Sequence, residues 1–235
     1  MGVNRFVFNG ISSSGFDIRV SKYPDYSIPQ RVVTRISVPG RNGDLIQDTG
    51  AYSNFTKSYE LYFNAKRDGF HSTARAVANW LCGVGGYARL EDTYDADVYL
   101  MARVENPEML ANWMNYMGRT TVTFDCKPQR FLKVGEQEIS LTSGEDINNA
   151  WMPCYPIFNL RGSGTLTVNG NSIAISNNLN KTITIDCETQ NAYTGTENRN
   201  SDISVSGEFP FLVSGINEVT FNNASCTMIP RWWTL

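Results

Sequence analysis

The run Thr165-Leu-Thr-Val168, Asn169-Gly170, Asn171-Ser-Ile-Ala-Ile175 constrains the fold of this chain more than any other segment. Two β-rich, alternating stretches flank an Asn-Gly pair. A two-residue hairpin turn of type I′ needs positive φ at both central residues, which Asn and Gly reach at least steric cost. The segment therefore predicts an antiparallel hairpin. The rhythm continues downstream: Thr182–Asp186 alternates strictly, and Ile203/Val205 and Val219/Phe221 alternate again. Strands recurring about every 8–15 residues between Gly and Asn turns predict an antiparallel β-sandwich.

The first half is mixed. Arg5–Gly10 reads as a short strand ending in an Asn-Gly turn. Residues 31–38 are rich in β-branched types and read as a strand, followed by the turn Pro39-Gly-Arg-Asn-Gly43. Tyr52–Phe63 reads as one strand with Tyr59, Leu61 and Phe63 on a single face. Between Ser72 and Cys82 the period changes: Ala74, Val77, Ala78 and Leu81 fall at i, i+3, i+4 and i+7, one helical face. Ser72 is the expected N-cap, and Gly83 the expected left-handed stop. Ala88–Leu90 and Val98–Val104 read as strands, with the acidic segment Glu91–Asp97 as a solvated turn between them. Pro107–Met117 fits a short helix or a strand. Thr120–Cys126 reads as a strand closed by Lys127-Pro128, and polar residues 133–150 as a crossing or linker segment.

Charge divides the chain. Residues 1–134 carry a surplus of three positive charges and residues 135–235 a surplus of six negative ones. The split predicts two domains, 1–134 and 135–235, in a mainly β protein. It lacks the clear basic surplus of a nucleic-acid binder. No apolar run is long enough for a transmembrane helix, and the first residues are too polar for a signal peptide. The five cysteines, Cys82, Cys126, Cys154, Cys187 and Cys226, form no CxxC, and His71 is the only histidine. Buried thiols in a protein made in a reducing cytoplasm are expected, with no metal site and no cofactor.

Candidate chemistry is thin. Asp92, Asp95 and Asp97 miss the EF-hand spacing, since the sixth position is Asp97 and the twelfth Arg103. Asp186 and Glu188 share one strand face, a weak basis for a glycosidase pair. His71 lies ahead of a helix and follows no nucleophile elbow. Gly83-Val-Gly-Gly86 and Gly162-Ser-Gly164 lack the Lys-Ser/Thr of a phosphate loop and read as turns. Trp151, Tyr155, Trp232 and Trp233 either fill a core or interface, or line a sugar-binding face. The end Pro230-Arg-Trp-Trp-Thr-Leu235 is expected to dock back as an edge strand. No catalytic signature emerges, so a binding or assembly role is expected and not an enzyme.

The order of short motifs resembles the distal tail proteins (Dit) of long-tailed phages with non-contractile tails. The motifs are Phe6-Val-Phe-Asn-Gly-Ile-Ser-Ser13, Val38-Pro-Gly-Arg-Asn-Gly43, Trp80-Leu81, Tyr99 with Ala102-Arg-Val104, and Val122-Thr-Phe-Asp-Cys-Lys-Pro128. They continue with Pro156, Gly162-Ser-Gly164, Asp186, Phe209-Pro210 with Leu212, Gly215-Ile-Asn217 and Pro230-Arg-Trp232. The resemblance implies an N-terminal domain similar to tail-tube proteins, a sandwich or split barrel with one helix. It implies a C-terminal galectin-like β-sandwich. It further implies a homohexameric ring at the virion's tail tip, assembled in the host bacterial cytoplasm, around a DNA exit channel. The tail tube protein, a tail-associated tip protein and the tape-measure protein are the implied partners. A near-neutral, slightly acidic subunit suits passage of DNA, because each Lys or Arg phosphate contact adds affinity. On this reading Pro39, Gly40, Arg41, Asn42 and Gly43 form a hairpin tip at a subunit interface, with Arg41 pairing a neighbour's carboxylate. A module that recognises a host cell-surface saccharide is the alternative, and a cell-wall hydrolase the third reading.

Overall fold

The computed structural model describes residues 4–63, 70–105, 119–176 and 181–235. The ambiguous segment Pro107–Met117 and the side chain of His71 lie outside the described residues. The chain divides into two compact units, Met1–Arg130 with Leu235, and Phe131–Thr234.

The strands of the first unit are β1 (Phe6–Phe8), β2 (Ile11–Ser12), β3 (Ile18–Val20), β4 (Arg31–Ile36), β5 (Leu45–Tyr52), β6 (Phe55–Phe63), β7 (Ala88–Asp92), β8 (Val98–Val104) and β9 (Arg119–Leu132), with helix α1 (Phe70–Cys82) before β7. One sheet runs β2-β1-β7-β8-β9-β6-β3, while among the described residues β4 and β5 pair only with each other. The turn after β1 has Asn9 at φ 49° and Gly10 at φ 76°, the I′ geometry that Asn-Gly favours. Alternation places Phe6, Phe8, Tyr59, Leu61, Val122 and Phe124 in one core, and α1 adds Val77, Trp80 and Leu81. Phe6 stacks on Tyr59 and on Trp80 at ring distances of 5.0 and 5.5 Å. Trp80 lies off the predicted apolar stripe, yet it is buried and its Nε1 donates to Phe8 O at 2.8 Å.

Four local expectations for this unit are corrected. The helix begins at Phe70, so Ser72 is inside it and not at its cap. Gly83 is absent from the positive-φ residues; a Cβ there would meet the Asn79 carbonyl, so close approach and not handedness favours glycine. Tyr52 ends β5, and a separate strand starts at Phe55. Strand β9 runs through Pro128 to Leu132. Its pairing with β6 ends at Cys126, so on that side Pro128 has no ladder bond to lose.

The second unit contains β10 (Ile139–Ser140), β11 (Glu145–Asn149), β12 (Ile157–Arg161), β13 (Gly164–Val168), β14 (Asn171–Ile175), β15 (Thr182–Asp186), β16 (Asn191–Thr194), β17 (Glu197–Asn198), β18 (Ile203–Ser206), β19 (Gly215–Phe221), β20 (Ser225–Ile229) and β21 (Trp233–Thr234). Two antiparallel sheets form, β10-β20-β12-β15-β16-β17 and β11-β19-β13-β14-β18. Phe158, Leu160, Ile183, Ile185 and Met228 from the first join Leu166, Val168, Ile173 and Val219 from the second in one core. The β13–β14 hairpin has Asn169 at φ 50° and Gly170 at φ 86°. The segment expected as a crossing or linker supplies edge strands to both sheets, β10 on β20 and β11 on β19. The chain end docks: Leu132 N donates to Trp232 O, and Trp233 Nε1 to Pro153 O at 2.8 Å.

Candidate functional site

The β4–β5 hairpin is exposed from Arg31 to Ala51. Val32, Val33, Ile36, Val38, Leu45 and Ile46 all face solvent, Ile46 at 62%. Strand alternation ordinarily puts apolar residues on one covered face. Here Val32 and Val33, and Leu45 and Ile46, are sequence neighbours, so both faces of the ribbon carry apolar side chains. An isolated two-stranded ribbon is marginal in water, and an apolar surface of this kind marks an interaction site.

Local chemistry holds the ribbon in shape. Arg31 Nε donates to both oxygens of Asp48 at 3.0 and 2.8 Å, and its Nη1 to the Tyr52 hydroxyl at 2.7 Å. Asp48 also accepts from Gly50 N at 2.8 Å. That amide bond, opposed by desolvation and aided by Arg31, holds the carboxyl below its usual range. Between the pairs Arg31–Tyr52 and Val33–Asp48, β5 carries extra residues opposite Val32. Gly50, at φ 79°, sits in this bulge. Near the tip, Arg41 N donates to Val38 O at 3.1 Å. With Pro39 second and Gly40 third at φ 81°, this is a type II turn. Gly43 also has positive φ. Pro39, Gly40, Arg41, Asn42 and Gly43 thus lie together in the tip loop, all exposed. Among the described residues the Arg41 guanidinium meets no carboxylate.

Of the remaining sequence candidates, Asp92, Asp186, Glu188 and four of the five cysteines are used internally, whereas Cys82, expected to be buried, is exposed. Asp92 is not in a solvated turn. It ends β7, buried, and accepts from Lys57 Nζ at 2.6 Å, Tyr59 OH at 2.7 Å, and the amides of Tyr94 and Asp95 at 2.9 Å each. Burial favours its protonated form, but the Lys57 charge and these donors outweigh it and lower its pKa. Burial, with the adjacent carboxylate, pushes the Tyr59 hydroxyl well up. Asp186 accepts from Arg231 Nη1 at 2.7 Å and Nη2 at 2.9 Å, and from the amides of Glu188 and Thr189. Glu188 takes Arg231 Nη1 at 3.2 Å. Both carboxylates therefore anchor the chain end. Burial pushes the thiols of Cys126, Cys154, Cys187 and Cys226 up to about 12, so they stay protonated and unreactive at neutral pH. Trp232 and Trp233 pack against the second unit's core, whereas Trp151 and Tyr155 are 39% and 49% exposed.

Over 97% of this chain and 97% of the other, the protein matches the Dit protein of SPP1, called a paradigm of the hub adsorption apparatus in phages infecting Gram-positive bacteria, at a TM-score of 0.74 and 9% identity. The chain shares its fold with a phage hub protein. Chains of the phage p2 baseplate in its activated conformation, with calcium and with strontium, match at TM-scores of 0.53 and 0.50 and identities of 10% and 12%. Those matches cover 97% of this chain and 97% and 98% of theirs. No protein-family model and no curated sequence matches the chain. At these identities the likeness is one of fold, which by itself assigns no activity.

Proposed function

We propose that this chain is a structural protein of a bacteriophage tail tip, a distal tail hub that works as a homohexameric ring. The observation that carries the reading is the fold shared with the SPP1 hub protein over nearly all of both chains. The hairpin supports it: an exposed, apolar, two-faced ribbon is the surface a ring-forming subunit offers its neighbours. In the ring, the unit Met1–Arg130 surrounds the DNA exit channel and its hairpin tip, Pro39–Gly43, meets the next subunit, with Arg41 on a carboxylate there. The unit Phe131–Thr234 faces outward as a galectin-like sandwich. The tail tube protein binds one side of the ring and the tail-associated tip protein the other, with the tape-measure protein ending nearby. The protein acts by holding these parts in register and not by catalysis.

Electron microscopy of the purified chain tests the assembly. Rings with six-fold symmetry are expected. Ile46→Asp, which places a charge on the exposed ribbon, is expected to abolish them without unfolding the subunit, and Arg41→Ala to make them more salt-sensitive. Rings unaffected by either change would remove the hairpin from the interface. The exposed rings of Trp151 and Tyr155 favour a second reading, a saccharide site on the second unit. Binding of the full chain to a glycan array, lost in Trp151→Ala, would support it.

A further inference from the structure

The hairpin leaves the first unit on two legs. The entering leg, residues 21–30, has no regular secondary structure, and Tyr23, Tyr26 and Ile28 on it are exposed. The leaving leg is Ser53-Asn54, running into Phe55 at the start of β6. Ser53 N and Oγ both bond Gln30 O, at 2.8 and 3.2 Å, and close the neck. Below the neck both legs meet one side chain. Arg130, on β9, is only 3% exposed. Its guanidinium carbon lies 4.4 Å from the centre of the Tyr26 ring on one leg and 4.6 Å from that of Phe55 on the other. Its Nε donates to Tyr26 OH at 3.1 Å, and its Nη2 donates to Ser27 O. The Tyr26 hydroxyl in turn donates a hydrogen bond to Leu235 O at 3.3 Å.

A buried guanidinium normally faces a carboxylate. Among the described residues Arg130 forms no ion pair. Its charge is met by two aromatic rings and two neutral oxygens, all but Phe55 supplied by the entering leg. Core packing does not require such an arrangement, because a Leu or Met at this position would fill space beside Phe55 at less desolvation cost. Joining the legs does require it: cation–π contact holds the rings, and the planar fork reaches Tyr26 OH and Ser27 O together.

We propose that Arg130 is a latch that fixes the root of the β4–β5 hairpin and so presets the direction in which its apolar ribbon is presented. Arg130 is a positioning residue that need not touch any partner. The latch acts within one chain and holds whether or not a ring forms.

The test is limited digestion of the full chain by a broad-specificity protease, with the first cuts mapped by fragment mass and the oligomeric state measured on the same samples. In Arg130→Met and in Tyr26→Ala, first cuts between residues 21 and 31 are expected about tenfold faster than in the wild type, with no new early cuts in β1, β7 or β8 and a thermal midpoint within a few degrees. Arg130→Lys keeps the charge but loses the fork, and is expected to fall between. Tyr26→Ala removes a largely exposed side chain, so it keeps the test valid if Arg130→Met fails to fold. First cuts at wild-type rate in Tyr26→Ala, or faster cuts spread evenly over the unit, would overturn the latch.

Discussion

At the scale of single residues, the Asp186–Arg231 pair makes the sharpest prediction. Burial opposes ionisation of Asp186, yet Arg231 and the amides of Thr189 and Glu188 bring its pKa below the ordinary value. A carboxyl depressed on folding adds stability in full above its unfolded value of roughly 4 and loses it as pH falls through the lower folded value. Asp186→Asn should therefore cost about 2 kcal/mol at neutral pH, since it leaves a half-buried guanidinium short of its partner. In urea titrations the gap to the wild type should close as pH falls below the unfolded value and through the lower folded one; a gap independent of pH would mean that the charge contributes nothing. Lys57→Met makes a parallel case in the first unit. It strands the buried Asp92 carboxylate with only neutral donors and should destabilise by roughly 3 kcal/mol, measured the same way. Sequence alone showed little of either site. Asp92 lies in an acidic run that looks solvated, and its cation comes from β6. Asp186 stands beside Glu188 as a chance-looking pair, and its true partner is 45 residues away. Neighbours in sequence do not reveal partners brought together by folding.

At the scale of elements, local rules worked where the structure is local. Two of the three Asn-Gly pairs, Asn9-Gly10 and Asn169-Gly170, have I′ geometry, while at Asn42-Gly43 only the glycine has positive φ; the apolar stripe found α1. They failed where a neighbour decides. Pro128 looked like a strand end, but β9 continues once β6 is no longer opposite. The bulge at Gly50 and the break between β5 and β6 left no signal, because Gly, Ser and Asn occur equally in turns. The docked end was legible from its two tryptophans, but the reason for Gly135 was not. A Cβ there would lie 2.5 Å from Trp232 N and 3.1 Å from Trp232 Cβ. Gly135→Ala should push the terminal strand off its seat, and tryptophan emission should shift to the red; an unchanged spectrum would mean that the strand adapts in place. At the hairpin tip Gly40 meets no such crowding and is constrained by φ alone. Gly40→Val should strain the turn by about 1–2 kcal/mol yet leave the thermal midpoint of the first unit unchanged, because the ribbon contributes no residue to its core.

At the scale of the whole molecule, the mainly β class was readable from alternation and from Gly and Asn turns, and the resemblance to distal tail proteins from the order of weak motifs. Strand order was not readable, since partners such as β11 and β19 are far apart in sequence. The shared fold and the apolar hairpin converge on assembly as the proposed role. The mass of the purified full chain in solution, by light scattering on a sizing column, tests this most directly. A tail-tip hub predicts a particle six times the 26.3 kDa subunit, or twice that for stacked rings. A folded protein that stays monomeric at every concentration, alone and with the tail tube protein present, would contradict it.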